Sequence, residues 1–480
     1  MAPAKIVSQK TYPIAGKLSV TEHLFDCVKD YRKPEDGTIR IFARSVKKHE
    51  TPIVAEKPKD NEQPPWMLYL QGGPGMYCRS PQHYPWTQTI LEKGYQMLFL
   101  DQRGTGLSTP ITASTLQMRG NSDEQARYLK LFRADTIVKD AEAIRLALTA
   151  KCAEETKRWT IMGQSFGGFC SISYLSFHPE GLREAFLFGG LQPLVKSPDD
   201  VYRRLYKKVI RRNEAYYAKY PDDVARVRSI VSHLKSPKGG EAKLSSEDRL
   251  TRRRFRQLGI AFGAHGGLDA VHDIVLRAAN DIEMFGHLTR GTLSVIEGGT
   301  SFDDHLLYAI LHEPIYCEGH APNWSAQRLQ RDEYASAFDV DKPEYDGPVY
   351  FTGEMIFPWM FEDHSELRKV QDVANKIASD SEWGALFNEE KLASNDVPIA
   401  SDSEWGALFN EEKLASNDVP VYAAAYTEDM YVDFDLSMET ARKIKGCKVF
   451  STNVFFHDAI RSKMDDVVKA AFTLRDDVID

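Results

Sequence analysis

The residues with the clearest chemical reading are Gly163-Gln164-Ser165-Phe166-Gly167, followed by another glycine at 168. A serine flanked by glycines at this spacing suits a sharp strand-to-helix turn, where the chain bends too tightly for large neighbours. Such a turn exposes the Ser165 hydroxyl as a nucleophile for acyl transfer. The setting agrees, with apolar WTIMG before the turn and helix-compatible FCSISYLSF after it. The competing reading is an ordinary glycine-rich turn. Acyl transfer also needs N–H groups aimed at the developing oxyanion. Phe166, directly after the serine, offers one. The run Gly72-Gly73-Pro74-Gly75 offers the other, from Gly72 or Gly73, because glycine lets the backbone come close to a substrate.

A serine on such an elbow takes its acid and then its histidine from later in the chain. Beyond residue 320 the histidines are His364 and His457. His457 follows the apolar KVFSTNVF and sits in a loop, whereas His364 precedes the late strand-like runs. An acid placed after VPVYAAAY leaves His457 as the histidine downstream of it. Glu428, Asp429, Asp433 and Asp435 all follow that run. Emergence right at the strand end favours Asp429, with Glu428 and Asp433 behind it. The acid would orient His457 and stabilise its charged form.

These groups need a scaffold, and the hydropathy pattern supplies one. The first 60 residues carry two extended segments, KLSVTEHLFDCV and GTIRIFARSV, in a hairpin pattern. Short apolar runs follow: WMLYL at 66–70, YQMLFL at 95–100, WTIMG before the serine and EAFLFGG at 184–190. A helical stretch over about 122–150 lies among them. Apolar runs of this length alternating with helices predict a mostly parallel sheet covered on both faces. Each run ends in a glycine-rich or polar loop, where ligands bind in open α/β sheets. Residues 196–345 show helical periodicity without a clear strand. The strand pattern returns at VPVYAAAY (419–426) and CKVFSTNVF (447–455). The expected organisation is an α/β core over 1–190, a helical cap over 191–345 and completion of the core over 346–480.

One feature departs from this pattern. Residues 378–398, ASDSEWGALFNEEKLASNDVP, recur without a change at 400–420. Structural repeats diverge, and two copies are too few for a solenoid, so this is a recent duplication or an assembly artefact. The second copy runs into the late strand and is expected to hold the native position. The first copy then becomes an added surface helix or loop.

Composition narrows the classes. The 480 residues are 42% hydrophobic and 27% charged, ordinary values for a globular protein. A formal net charge of −8 makes a nucleic acid a poor partner. The basic runs RRLYKKVIRR (203–212) and RRRFR (252–256) read as solvated helix faces. The N-terminus has no signal-like apolar core, and no apolar stretch is long enough to span a membrane. Six scattered cysteines without a CxxC pair suit reduced thiols in the cytoplasm, with no zinc site and no disulfide framework.

LQGGPG, DQRGTGLST, GQSFGG, TGEMIFPWMF, EDMYVDFD and FFHDAIR, in this order, resemble the prolyl aminopeptidases (proline iminopeptidases) of the α/β-hydrolase fold. The motifs reach from about residue 70 to 461. The resemblance implies a triad of Ser165, Asp429 and His457, and an oxyanion hole from Gly73 and Phe166. It also implies release of an N-terminal residue, preferably proline, from peptides, with no metal or organic cofactor; the large lid is expected to restrict access and favour short peptides. A free cationic amine needs a buried or partly buried carboxylate in the lid. LLYAILHEPIYCEG (306–319) resembles the family's amine-binding helix, which puts Glu313 first and Glu318 and Glu354 behind it. Phe166, Tyr77, Phe357 and Trp359 are candidate walls for a pyrrolidine ring. Gln71 stands where many hydrolases of this fold have histidine. Two other readings compete: the same machinery acting on a small ester, amide or lactone, and a binding protein without catalysis. Lid carboxylates argue against the first, and an intact serine, acid and histidine against the second.

Overall fold

The structure, a computed structural model, describes residues 1–49, 63–236, 242–339, 347–383 and 410–477. Nine strands among the described residues form one sheet in the order β1-β2-β3-β5-β4-β6-β7-β8-β9. β1 (Lys5–Ile14), β2 (Leu18–Val28) and β3 (Thr38–Lys48) pair antiparallel, and β3 pairs antiparallel with β5 (Gln96–Leu100). From there β4 (Trp66–Leu70), β6 (Trp159–Gln164), β7 (Leu182–Phe188), β8 (Val421–Tyr426) and β9 (Cys447–Thr452) all run parallel. The expected apolar runs are the parallel strands, and the expected hairpin is β2–β3. β1 was not anticipated, because KIVSQKTYPI is nearly all exposed and lacks an apolar face.

The central strands are apolar throughout because both of their faces are covered. Side chains alternate across a strand. Leu68, Leu98, Ile161 and Leu187 therefore enter one core. Their neighbours Tyr69, Phe99, Met162 and Phe186 enter the core on the opposite face. Fully burying one such side chain stabilises the fold by about 1.5–3 kcal/mol.

The stretch expected as one helix over 122–150 is two, Ser122–Leu129 and Ala134–Leu148. A short 3-10 turn, Lys130–Phe132, and an extended Arg133 (φ −84°, ψ 169°) separate them. Thr136 compensates locally, its hydroxyl donating to the Leu131 carbonyl at 2.7 Å. Arg133 is thereby buried with its guanidinium 5.3 Å from the Trp383 ring.

Between β7 and β8 the described chain is helical, including Pro198–Lys219, Gly267–Phe285, Leu306–Leu311 and Ser325–Asp332. The helical region does not stop at 345: Gln371–Ser379 and Glu411–Ala415 continue it, and the sheet resumes at Val421. The RRRFR run is not a solvated face. Arg254 is fully buried, and Arg253 pairs with Asp363 at 2.8 Å, so the run pins the lid together. In the other run Leu205, Tyr206, Lys208 and Val209 are buried, leaving only the opposite side of that helix to solvent. No helix among the described residues is long and apolar enough to cross a membrane.

The duplication is divided between its copies. In the first, Ala378 accepts a hydrogen bond from the Asn323 amide at 2.8 Å, and Trp383 is fully buried. In the second, the Asn410 side chain caps Glu411–Ala415 and Leu414 is fully buried on the way into β8. The first copy is therefore not wholly an added surface element: its beginning is part of the packed lid. The remainder of both copies, 384–409, lies outside the described residues.

Candidate active site

Ser165 stands between β6 and the helix Phe166–Phe177, with φ 53° and ψ −121°. A non-glycine residue in this region carries strain on the order of 1–3 kcal/mol, tolerated when the surroundings over-determine it. They do here. The Ser165 amide donates to Phe188 at 3.1 Å, and its carbonyl accepts from Gly168 at 2.7 Å. Glycine is required at 163 and 167 by close approach: a Cβ on Gly163 would lie 2.5 Å from the Gly167 carbonyl oxygen, and one on Gly167 would collide with the Leu70 carbonyl.

The loop after β4 lies beside the serine. Gly73 has φ 131°, which L side chains rarely adopt. The Gly72 amide donates to Gln71 Oε1 at 3.2 Å, so it is already engaged. Neither the Gly73 nor the Phe166 amide donates to an acceptor among the described residues. Phe166 opens its helix, where N–H groups lack intrahelical partners. Gln102 of the DQRGTG motif holds this loop, its Nε2 donating to the Gln71 carbonyl at 3.0 Å. Arg103 of the same motif is fully buried in a two-pronged pair with Asp140, at 2.7 and 2.6 Å.

Asp429 follows β8 and is almost fully buried. Its Oδ1 accepts from the Tyr431 and Val432 amides at 2.8 and 3.0 Å. Its Oδ2 accepts from His457 Nδ1 at 2.7 Å. That bond leaves His457 Nε2 as the nitrogen available to a serine proton. Tyr431 meets the His457 ring edge-on at 4.8 Å. Burial opposes the charged imidazolium, but Asp429 and its hydrogen bond, helped by Glu354, outweigh burial and raise the His457 pKa; Arg461 acts in the opposite direction. No hydrogen bond joins Ser165 to His457 among the described residues, yet both line one cavity of about 270 Å³. Catalytic hydrogen bonds are often long without substrate. The secondary acids do other work. Asp433 caps the helix Phe434–Lys443, and Glu428 is half-buried.

The lid roofs this cavity with Ile260, Phe302, His305, Tyr308 and Glu354. Of the three candidate glutamates, only Glu354 reaches it. Its Oε1 accepts from Tyr308 Oη at 2.5 Å and lies 3.7 Å from His312 Nε2. Glu313 turns away. Its two oxygens accept from the Ser325 and Ala326 amides at 3.0 and 2.9 Å, capping the helix Ser325–Asp332. Burial pushes the Glu313 carboxyl up to about 8, against the pull of those amides. Glu318 is also buried and likewise raised to about 8, chiefly by burial, with Lys196 and Arg133 opposing. Residues 308 and 312, four apart, share one helix face toward Glu354, and 313 lies round the side. That spacing was the signal available for ranking the three.

The candidate aromatic walls do not line the cavity with their rings. Tyr77 is 54% exposed, Phe357 is buried and stacks on Trp359 at 5.2 Å, and Phe166 packs on Phe169. Phe302, Tyr308 and Tyr431 take that place. Two of them, Tyr308 and Tyr431, sit inside segments already singled out in the sequence. Among the described residues no group of three His, Cys, Asp or Glu side chains is placed to hold a metal ion.

The chain is similar to known proteins over nearly its whole length. Residues 65–232 match the family model described as alpha/beta hydrolase fold. The proline iminopeptidase aneH of Aspergillus aculeatus is 42% identical over 480 residues, covering 100% of this chain and 99% of that protein. The proline iminopeptidase of Aeromonas sobria is 35% identical over 457 residues, covering 95% and 96%. Among solved structures, a proline iminopeptidase from Mycobacterium smegmatis aligns over 98% of each chain at 12% identity and a TM-score of 0.36, a likeness too weak to add to the case. With near-full-length identity of this order to two such proteins, the chain belongs to the proline iminopeptidase family of α/β hydrolases.

Proposed function

We propose that this protein is a serine aminopeptidase that releases an N-terminal residue, preferably proline, from short peptides through an acyl-enzyme. The observation that carries the reading is Glu354, a carboxylate in the same cavity as Ser165 and His457. An ester or lactone offers such a group nothing to bind, whereas a protonated N-terminal amine needs it. Met76, Ile260, Phe302 and Tyr308 give the ring of a proline an apolar bed.

In this reading the substrate amine pairs with Glu354, and the scissile carbonyl carbon faces Ser165 Oγ. His457 Nε2 takes the serine proton as the C–O bond forms. The carbonyl oxygen becomes an oxyanion held by the Gly73 and Phe166 amides. His457 returns the proton to the departing amine, and the C–N bond breaks to leave the acyl-enzyme. Water, deprotonated by His457, then releases the free amino acid. Asp429 keeps the imidazole oriented and stabilises its charged form. The six cysteines are all free, which supports a reducing, cytoplasmic setting.

The test is steady-state hydrolysis of a proline arylamide beside its N-acetyl form and a simple aryl ester. The free-amine substrate alone should be cleaved well, and Ser165→Ala should lower kcat by on the order of 10⁶-fold. Comparable cleavage of the acetylated substrate or the ester would move the protein to the general esterases and amidases.

A further inference from the structure

The catalytic cavity contains a cation that the mechanism above leaves unused. Arg461 lies four residues after His457, in the short helix Ala459–Ser462, and lines the same cavity. It is the one Lys or Arg among the described lining residues, as Glu354 is the one Asp or Glu. Among the described residues Arg461 has no carboxylate partner. Its Nη2 donates to Gln71 Oε1 at 3.3 Å, a neutral acceptor that steadies the guanidinium without neutralising it. Gln71 in turn precedes the Gly72-Gly73 loop, so Arg461 connects the loop of the base to the loop of the oxyanion hole.

That position has a direction. The departing amine must receive its proton from His457, so the residue after the scissile bond rests against His457 and the helix that follows it. Glu354 approaches the imidazole from the lid and Arg461 from the core, and His457 responds to both, raised by the first and lowered by the second. Glu354 and Arg461 line this one cavity, and two residues of extended chain span at most about 7 Å. A free dipeptide carries a charge at each end that these two residues can meet, its ammonium at Glu354 and its carboxylate at Arg461. A guanidinium suits a carboxylate because its forked N–H groups can meet both oxygens.

We propose that Arg461 receives the C-terminal carboxylate of the substrate, making free dipeptides with N-terminal proline the preferred substrates. This rests on the aminopeptidase reading of the same cavity. The experiment compares kcat/KM for Pro-Ala and Pro-Ala amide, with the proline arylamide as reference, in the wild type, Arg461→Met and Arg461→Glu. Labelling of Ser165 by a fluorophosphonate verifies that the site is assembled in each variant. The wild type should favour the acid over the amide by about 10-fold or more, mostly through KM. Arg461→Met should bring that ratio close to one, and Arg461→Glu should push it below one. A wild-type ratio near one, or a ratio unmoved in both labelled variants, overturns the proposal while the arylamide is still cleaved. Failure to cleave the arylamide at all overturns the aminopeptidase reading itself, and this proposal with it.

Discussion

His457 is the residue on which the whole cavity acts. As the proposed base it must be neutral, so kcat/KM is expected to rise with pH through the His457 pKa. Asp429 and Glu354 raise that pKa against burial, moving the acid limb up from the ordinary histidine value. Glu354→Gln removes one of the raising charges, so the acid limb should move to lower pH. Arg461→Met removes the opposing charge and should move it to higher pH. Opposite displacements in one set of pH profiles would tie both side chains to the base electrostatically, and two unmoved limbs would rule that out. Glu354→Gln should also lower kcat/KM for the free-amine substrate by about 10²-fold, the loss expected when a charged hydrogen bond is removed. The acetylated substrate should be affected far less. That Ser165, Asp429 and His457 come together was legible in the sequence because a strained turn and a fixed chain order constrain them; their catalytic roles are part of the proposal. Glu354 was named there but ranked low, because only the tertiary fold brings Gly353-Glu354 over the serine.

The elements that hold the site differ in how openly their sequences declare them. β4 to β8 are apolar on both faces and were read correctly. β1 is a polar edge strand whose pairing with β2 rests on backbone hydrogen bonds that no hydropathy pattern encodes. The lid hides its logic further, since its charged residues are spent on internal pairs such as Arg253 with Asp363. Glu313 is the instructive case. Its neighbours Tyr308 and His312 face Glu354, while its own carboxylate closes the first amides of the helix Ser325–Asp332. Glu313→Ala leaves two buried N–H groups without acceptors, at about 1–3 kcal/mol each. Chemical denaturation should register a loss of roughly 2–6 kcal/mol. The ratio of free-amine to acetylated substrate cleavage should remain near the wild-type value. Loss of that ratio in a folded Glu313→Ala protein would make Glu313, and not Glu354, the residue that holds the amine.

At the scale of the whole molecule, the duplication has to be reconciled with an intact sheet and an intact Asp429–His457 pair. Trp383 of the first copy is buried beneath Lys130 and Arg133, each 5.3 Å from its ring. Asn417 of the second copy links Val419 and Lys445 through its side-chain amide, at 2.5 and 3.2 Å, where the chain turns into β8. β8 then delivers Asp429. The chain thus enters the core-completing region through one copy and leaves through the other, and the surplus lies between Trp383 and Asn410. Because the copies are identical, deleting residues 388–409 restores a single copy whichever one is regarded as added, with Phe387 joined to Asn410. Both anchors survive this deletion, and so does the register of β8 against β7 and β9. Closing a shorter connection costs less entropy, by about 0.6 kcal/mol for each halving of its length. The deletion variant should therefore be at least as stable as the full chain, and its kcat/KM on the proline arylamide should stay within about threefold. A large fall in activity with the fold intact would mean that the surplus segment itself contributes to the cavity, and that the lid of this protein works as a longer unit than its packed helices alone.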